Sequence, residues 1–214
     1  MYITEEIIKK KPFIQEALGK GIINYASYAE MIKPEIEKIL KKEVKLSAII
    51  MSLRRISETL EKKSFNNLKF DKEVDLTMRS DLFQIVLRRS KETEAILDKL
   101  ELDLRYKDLF SIIKGTDEID LVSNIKYREK VINSFSKKEI IKEYNNIGAI
   151  TITISENIFE QAGFFYLLTK TLAWENISIV EIISTMSQLT FVLREEDLML
   201  GFNSLKKVID ENRV

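Results

Sequence analysis

The spacing of hydrophobic residues changes once along this 214-residue chain, near residue 64, and that change constrains the fold more than any other feature. Before it, apolar residues recur with the period of one face of an α-helix. From Val74 onwards, several segments alternate apolar and polar residues, as half-buried β-strands do. Only two prolines and six glycines interrupt the chain, which predicts mostly regular structure and short loops. We therefore predict an α+β protein with a helical N-terminal head at residues 1–63.

The head is predicted to contain several short helices. Thr4 suits the start of the first helix, Pro12 interrupts it, and Asn24 caps the next one. Pro34 is predicted in the first turn of a further helix, where its missing N–H costs nothing. Residues 46–62 form the clearest helix. Its apolar stripe consists of Leu46, Ile49, Ile50, Leu53, Ile56 and Leu60.

Basic side chains flank this last helix, and residues 1–63 carry 13 basic against 9 acidic residues. Short helices with tight turns, of which the last is basic, are typical of helix-turn-helix modules. This pattern predicts DNA contacts from Lys45, Arg54 and Arg55. The alternative is a small helical bundle with an ordinary solvated face, which needs no DNA.

Residues 64–144 and 145–214 are predicted to be two units with the same element order: strand, helix, strand, strand, helix, strand. In the first unit, Val74–Met78 and Leu82–Leu87 are predicted strands that a turn at Ser80-Asp81 separates. In the second unit, a strand over 149–154 precedes a helix that carries Phe159 to Ala173. Two units of this type predict a ferredoxin-like βαββαβ repeat.

The second unit resembles an ACT domain of the kind found at the C-terminus of aspartate kinases. The resemblance covers residues 147–211 and lies in the stretch ITITISENIFEQAGFFYLLTKTLAWENISIVEIISTMSQLTFVL. The first unit is similar by element order only. The resemblance implies a pair of regulatory domains that bind a small molecule, often an amino acid. The kinase catalytic domain is absent from the chain, so no kinase activity is implied.

The resemblance also implies where a ligand would bind, and it places the family's helix-start glycine at Gly163. Backbone N–H groups in a turn before a helix suit an α-carboxylate, and a glycine there permits close approach. Two other roles remain open: Gly163 could permit close helix–sheet packing, and Asn157 could be a helix cap. The candidate ligand residues are Ser155, Glu156, Asn157, Ile158, Gln161, Ala162, Gly163, Ile177 and Ser184.

Composition excludes several classes of chemistry. Histidine and cysteine are absent, which rules out Cys or His nucleophiles, Ser-His-Asp triads and thiolate or imidazole zinc sites. Glycine-rich phosphate loops are absent as well. The 34 basic and 34 acidic residues balance, so binding to a polyanion by bulk charge is disfavoured. We predict no enzyme activity, no cofactor and no metal. Without an apolar stretch of about 18 residues, we expect no membrane span and a cytoplasmic protein.

Three functions fit these observations. The first is a non-catalytic regulatory protein that senses a small metabolite, for which the family resemblance implies an amino acid. The second is a ligand-responsive transcriptional regulator whose head binds DNA. The third is a structural ACT-type interaction subunit without a ligand. In each case the helix after residue 158 has apolar residues on more than one side, which predicts a homodimer.

Overall fold

The computed structural model describes residues 2–62, 68–104, 109–155, 158 and 160–213. The chain divides into two compact units, an N-terminal unit of residues 1–68 and a C-terminal unit of residues 69–214. The first consists of helices, and the second contains one β-sheet with helices packed on it. Among the described residues, no helix has both the length and the hydropathy that crossing a bilayer requires.

Residues 2–62 of the N-terminal unit form four helices: α1 (Tyr2–Lys9), α2 (Pro12–Gly19), α3 (Tyr25–Leu40) and α4 (Leu46–Lys62). The helix over 46–62 has the bounds that its stripe predicted. Asn24 caps α3, because its side-chain oxygen accepts hydrogen bonds from the N–H groups of Ala26 and Ser27. The helices share a core of buried residues: Ile7, Ile8, Leu18, Tyr28, Ala29, Ile32, Ile36, Ile49 and Leu53.

The predicted break at Pro34 is wrong, since α3 runs through this proline. A proline inside a helix removes one backbone hydrogen bond and crowds the preceding turn. Here Ile32 and Ile36, on either side of it, are 1% and 2% exposed and lie in the core of the unit. Their burial offsets the local cost, so the chain continues as one helix.

The C-terminal unit is built on a six-stranded antiparallel sheet. Its strands are β1 (Asp75–Arg88), β2 (Phe110–Lys114), β3 (Glu118–Asn124), β4 (Ile140–Thr153), β5 (Ile179–Ser184) and β6 (Gln188–Arg194). The spatial order is β2-β3-β1-β4-β6-β5. The α-helices described in this unit are α5 (Lys91–Leu104), α6 (Arg128–Ile132), α7 (Phe164–Trp174) and α8 (Leu198–Glu211).

The predicted turn at Ser80-Asp81 is wrong, because these residues lie within the 14-residue strand β1. Asp81 has a left-handed φ of 57°, and Asn146 in the middle of β4 has one of 55°. The pairing of β1 with β4 shifts register between Arg79 and Leu82, as at a β-bulge. Each residue therefore bends its strand without ending it.

The two long strands pair with each other and belong to both halves of the sheet. One half is β2-β3-β1-β4 and the other is β1-β4-β6-β5. The boundary that we predicted after residue 144 falls inside β4. Instead of following one another along the chain, the two βαββαβ patterns share β1 and β4.

The sheet is curled. Leu82 and Val122 from one half form a buried cluster with Ile147, Ala149 and Val192. Residues of β5, at the far edge of the other half, pack on the same cluster. Two strands, β4 and β6, lie between β1 and β5, a separation of about 14 Å in a flat sheet. A contact between β1 and β5 therefore requires the two helix-free faces to turn towards each other.

Candidate functional site

The loop of residues 154–163, between β4 and α7, contains most of the predicted ligand residues. Glu156 and Asn157 lie outside the described residues. The remainder is held by short-range backbone hydrogen bonds, from the N–H of Ile158 to the oxygen of Ser155 and from that of Gln161 to the oxygen of Ile158. The predicted helix start at Phe159 lies outside the described residues, and the described helix α7 begins at Phe164. The N–H of Phe164 likewise bonds to the oxygen of Gln161, and Gly163 lies directly before α7.

Gly163 is required for its backbone conformation. Its φ is 94°, in the left-handed region that side-chain-bearing residues rarely adopt. A Cβ built on it would have nothing within 4 Å. The open alternative, in which this glycine permits close helix–sheet packing, is therefore wrong. The glycine leaves an accessible stretch of backbone at the start of α7.

The other loop residues differ in what they expose. Ala162 and Gly163 are exposed and Gln161 is half-buried. Ile158 is 2% exposed, so its side chain belongs to the core. A ligand at this loop would contact the backbone and side chain at 161–163. The N–H and the oxygen of Ile158 are already bonded to Ser155 and Gln161, so this predicted residue offers a ligand neither its side chain nor its N–H.

Of the two predicted residues beyond the loop, only Ser184 lies at the same end of the sheet. Ser184 pairs with Leu189, next to the row in which Thr153 of β4 pairs with Gln188. Ile177 precedes β5 at the opposite end, and the five steps of β5 from Ile179 to Ser184 alone span about 17 Å. It is buried, and its N–H bonds to the oxygen of Leu172. That N–H is therefore already used.

Residues 69–74, which we call the strap, hold the loop in place and were missed by sequence reasoning. Ser155 donates a hydrogen bond of 2.7 Å from Oγ to Oδ2 of Asp71. Phe70 is fully buried, and its ring meets that of Phe164, the first residue of α7, edge to face at 6.5 Å. The N–H of Phe70 also donates to the oxygen of Asn212. The strap thus connects the candidate ligand loop with the end of α8.

The strap also lines a cavity of about 360 Å³ against α8. Its charged lining is balanced, with Lys72, Lys206 and Arg213 opposing Glu73, Asp75 and Asp210. Arg213 is engaged, since it donates to the oxygen of Val74 at 3.1 Å. Through this cavity, residues 72–73 of the strap and Lys206 and Asp210 of α8 are accessible to solvent.

The outer face of α7 carries exposed aromatic side chains. Trp174 is 68% exposed, and Phe165 and Tyr166 are close to 40% exposed. Lys170 lies over the rings of Tyr166 and Trp174, at 5.4 and 5.2 Å from their centroids. Large aromatic residues on an exposed face are typical of protein–protein contact surfaces.

We expect the protein to be a homodimer in solution through this aromatic face of α7. Light scattering at micromolar concentration should give about twice the monomer mass of 25.0 kDa. Trp174→Glu should lower the mass to that of the monomer, because it places a charge in the contact. Met186→Glu, which changes an equally exposed apolar residue in the β5–β6 turn, is the control and should remain dimeric. A wild-type mass near 25.0 kDa would disprove the dimer.

The predicted DNA-binding residues Lys45, Arg54 and Arg55 are all exposed in the N-terminal unit. Side chains that contact phosphates must be exposed, but the side chains of an ordinary solvated helix face are exposed as well. Exposure therefore does not distinguish the two interpretations. Their role in DNA binding stays a prediction.

Comparisons with known proteins identify the fold. No protein-family profile matches the chain, and no curated protein matches it. Among solved structures, aspartokinase alpha and beta subunits match at a TM-score of 0.53 and 14% identity, over 63% of this chain and 97% of that one. The regulatory subunit of aspartate kinase from Thermus thermophilus matches at 0.51 and 11%, over 62% and 95%.

Aspartate kinase from Clostridium acetobutylicum also matches, at a TM-score of 0.51 and 15% identity. The match covers 63% of this chain and only 34% of the kinase, so the chain spans about a third of that enzyme. At these identities the likeness shows a shared fold. The fold of these regulatory subunits is the one that the resemblance to ACT domains predicted.

Proposed function

We propose that this protein is a non-catalytic regulator whose C-terminal unit binds an amino acid at the loop of residues 154–163. The observation that supports this most is the exposed, left-handed Gly163 at the start of α7, in a fold shared with aspartate kinase regulatory subunits. The C. acetobutylicum protein of the same fold is described as an allosteric enzyme. Amino acids are the ligands that the resemblance to ACT domains implies.

The chemistry of the loop suits an α-carboxylate. Backbone N–H groups at a helix start carry partial positive charge, and they bind anions without any basic side chain. Gly163 has no Cβ that would keep a carboxylate from the backbone. The ligand's ammonium group would then face the polar side chains Ser155 and Gln161.

We propose that ligand binding changes the conformation of the strap, residues 69–74. A ligand shifts a conformational equilibrium only if it interacts differently with the two states. Ser155 is bonded to Asp71 of the strap, so a ligand that recruits the Ser155 hydroxyl weakens that bond. The strap is the first segment of the C-terminal unit after the helical unit in the sequence. The helical unit would therefore be the part that reports the ligand to a partner.

A thermal-shift screen with each of the twenty amino acids tests the proposal. A ligand at one hundred times its Kd stabilises the bound state by about 2.7 kcal/mol, which raises Tm by several degrees. We expect one or a few amino acids to do so with the wild-type protein. Gly163→Ala should remove the shift, since alanine resists a φ of 94° and its Cβ intrudes on the ligand.

Gly21→Ala is the matched control, because Gly21 also has a positive φ, 67°, and open space around its Cβ, but lies in the N-terminal unit. Both variants should lose about 1 kcal/mol of stability in their own unit. Only Gly163→Ala should lose the ligand response. If no amino acid raises Tm, the structural subunit without a ligand becomes the better account.

A further inference from the structure

The N-terminal half of β1 forms a free edge of the sheet. β3 pairs with β1 only over Leu82–Arg88, whereas β4 pairs with it from Asp75 onwards. Among the described strands, none lies beside residues 75–80 on the side away from β4. Alternate residues of a strand direct their N–H and C=O groups to the same side, so part of this backbone lacks a sheet partner. Such an edge can pair with another extended chain.

The sequence of this edge contains few of the features that prevent pairing. Residues 75–80 are all exposed except Leu76, which is half-buried. Proline, lysine and bulges often protect an edge, but the segment DLTMRS contains neither residue, and the bulge follows it. Its two charged residues, Asp75 and Arg79, have opposite signs and form no ion pair among the described residues. Both charges are therefore available to a partner.

The two charges are placed symmetrically about Thr77. In an antiparallel pairing of two copies in which Thr77 lies opposite itself, Asp75 lies opposite Arg79 of the partner subunit, and the pair occurs twice. A shift of the two-fold axis to Met78 would place Asp75 opposite the partner's Asp81, where like charges repel. The charge pattern therefore favours one two-fold register.

The other face of the same edge borders the cavity between the strap and α8. Leu76 and Met78 alternate with the charged residues and face α8, because Leu76 lines this cavity of about 360 Å³ together with Phe202. In the register centred on Thr77, Leu76 lies opposite the partner's Met78. Met78 is 40% exposed, and its unbranched side chain adapts to irregular spaces. The partner's Met78 would therefore be directed towards the cavity.

We propose that residues 75–79 pair with the same residues of a second copy across a two-fold axis, which joins the two sheets. Asp75 and Arg79 set the register, and Met78 of each copy packs into the cavity of the other. The edge shares no residue with the aromatic face of α7, so this contact is a separate one. Five paired residues bury less than a standard interface of about 1,600 Å², so the pairing requires more than micromolar protein. It does not depend on an amino-acid ligand.

Sedimentation equilibrium of the full chain with Trp174→Glu tests the pairing, because this variant lacks the contact through α7. Between about 10 µM and 1 mM, we expect its mass to rise from 25.0 kDa towards twice that value. In this background, Asp75→Arg and Arg79→Asp should each raise Kd at least about tenfold, since like charges then lie opposite each other. An equimolar mixture of these two variants should associate again, because each chain then places its charges opposite the opposite sign.

A further pair of variants tests the cavity. Met78→Ala in the same background should raise Kd about tenfold, because the cavity is then left unfilled. Met186→Ala, at an exposed methionine in the β5–β6 turn, should leave Kd unchanged. The proposal is overturned if the Trp174→Glu protein remains monomeric at about 1 mM. It is also overturned if either charge variant associates as strongly as its parent, or if their mixture remains monomeric.

Discussion

Replacing Gly148 by alanine is expected to destabilise the C-terminal unit by about 3 kcal/mol, which is at the upper end for an overpacked site. A Cβ at this position would lie 2.6 Å from Cδ2 of Leu198 and 2.7 Å from the carbonyl oxygen of Arg79. Leu198 can shift its side chain, but the oxygen of Arg79 belongs to β1 next to the bulge. Relief of the clash therefore requires β1 and β4 to separate where they bend together. Urea denaturation followed by circular dichroism measures the loss.

Gly19→Ala is the control for this substitution. A Cβ at Gly19 would lie 3.5 Å from Cβ of Leu60, an ordinary van der Waals distance. Gly19 is the last residue of α2, where alanine is a better helix former than glycine. We expect the stability of the N-terminal unit to change by less than about 1 kcal/mol. If Gly148→Ala changes the stability of the C-terminal unit equally little, the close approach of β4 at Gly148 to the backbone of β1 at Arg79 is contradicted.

Replacing Phe70 by alanine should cost about 3–5 kcal/mol, the usual range for a fully buried phenylalanine. Phe70 is 0% exposed and packs against Phe164 of α7. The variant leaves a cavity under the strap and removes the edge-to-face contact. Because the same contact ties the strap to the start of α7, the variant should also weaken the response to a stabilising amino acid.

A double-mutant cycle with Phe70→Leu and Phe164→Leu isolates the ring–ring contact. Aromatic pairs of this geometry contribute about 0.5–1.5 kcal/mol beyond the area that they bury. Met186→Ala, at a residue that is 66% exposed in the same unit, is the control and should change stability by less than about 0.5 kcal/mol. A coupling energy of zero would show that the strap and α7 are stabilised independently.

The short strands, turns and helices of the C-terminal unit could be predicted from the sequence. Alternation and turn residues indicate the hairpin around Gly115 and a return strand over 189–193, and helical spacing indicates a helix that starts at Glu195; the structure has that strand over 188–194 and that α-helix from residue 198. Asn124 caps the 3₁₀ turn after β3, because its side-chain oxygen accepts a hydrogen bond from the N–H of Lys126. Each of these features depends on residues only a few positions apart.

The long strands could not be read in this way. Asp81 and Asn146 are residue types that favour turns and tolerate a left-handed φ. The same conformation occurs at a β-bulge, which bends a strand and lets it continue. Whether the chain turns or continues depends on the opposite strand, and β1 and β4 are 52 residues apart in sequence. Pro34 is a second case in which distant packing overrides the local signal. The burial of Ile32 and Ile36 in the core keeps α3 continuous through this proline.

The candidate site was partly predictable for the same reason. Gly163 could be placed near a helix start from the family resemblance, and the structure adds its left-handed φ. The partner of Ser155 could not be found, since Asp71 is 84 positions away. A weak signal did exist. Phe70 is a large apolar residue in the charged stretch Lys69-Phe70-Asp71-Lys72-Glu73. A linker that only connects two units rarely contains such a residue.

Hydrogen exchange with and without the most stabilising amino acid of the screen tests the central claim most directly. The account predicts slower exchange in peptides that cover residues 155–164, because the bound ligand stabilises this segment against local opening. It also predicts a changed exchange rate in residues 69–74, which contact the loop through Asp71 and Phe70. Protection elsewhere with none in 155–164 would contradict the ligand site. Protection of the loop alone, with the strap unchanged, would contradict the route from ligand to helical unit.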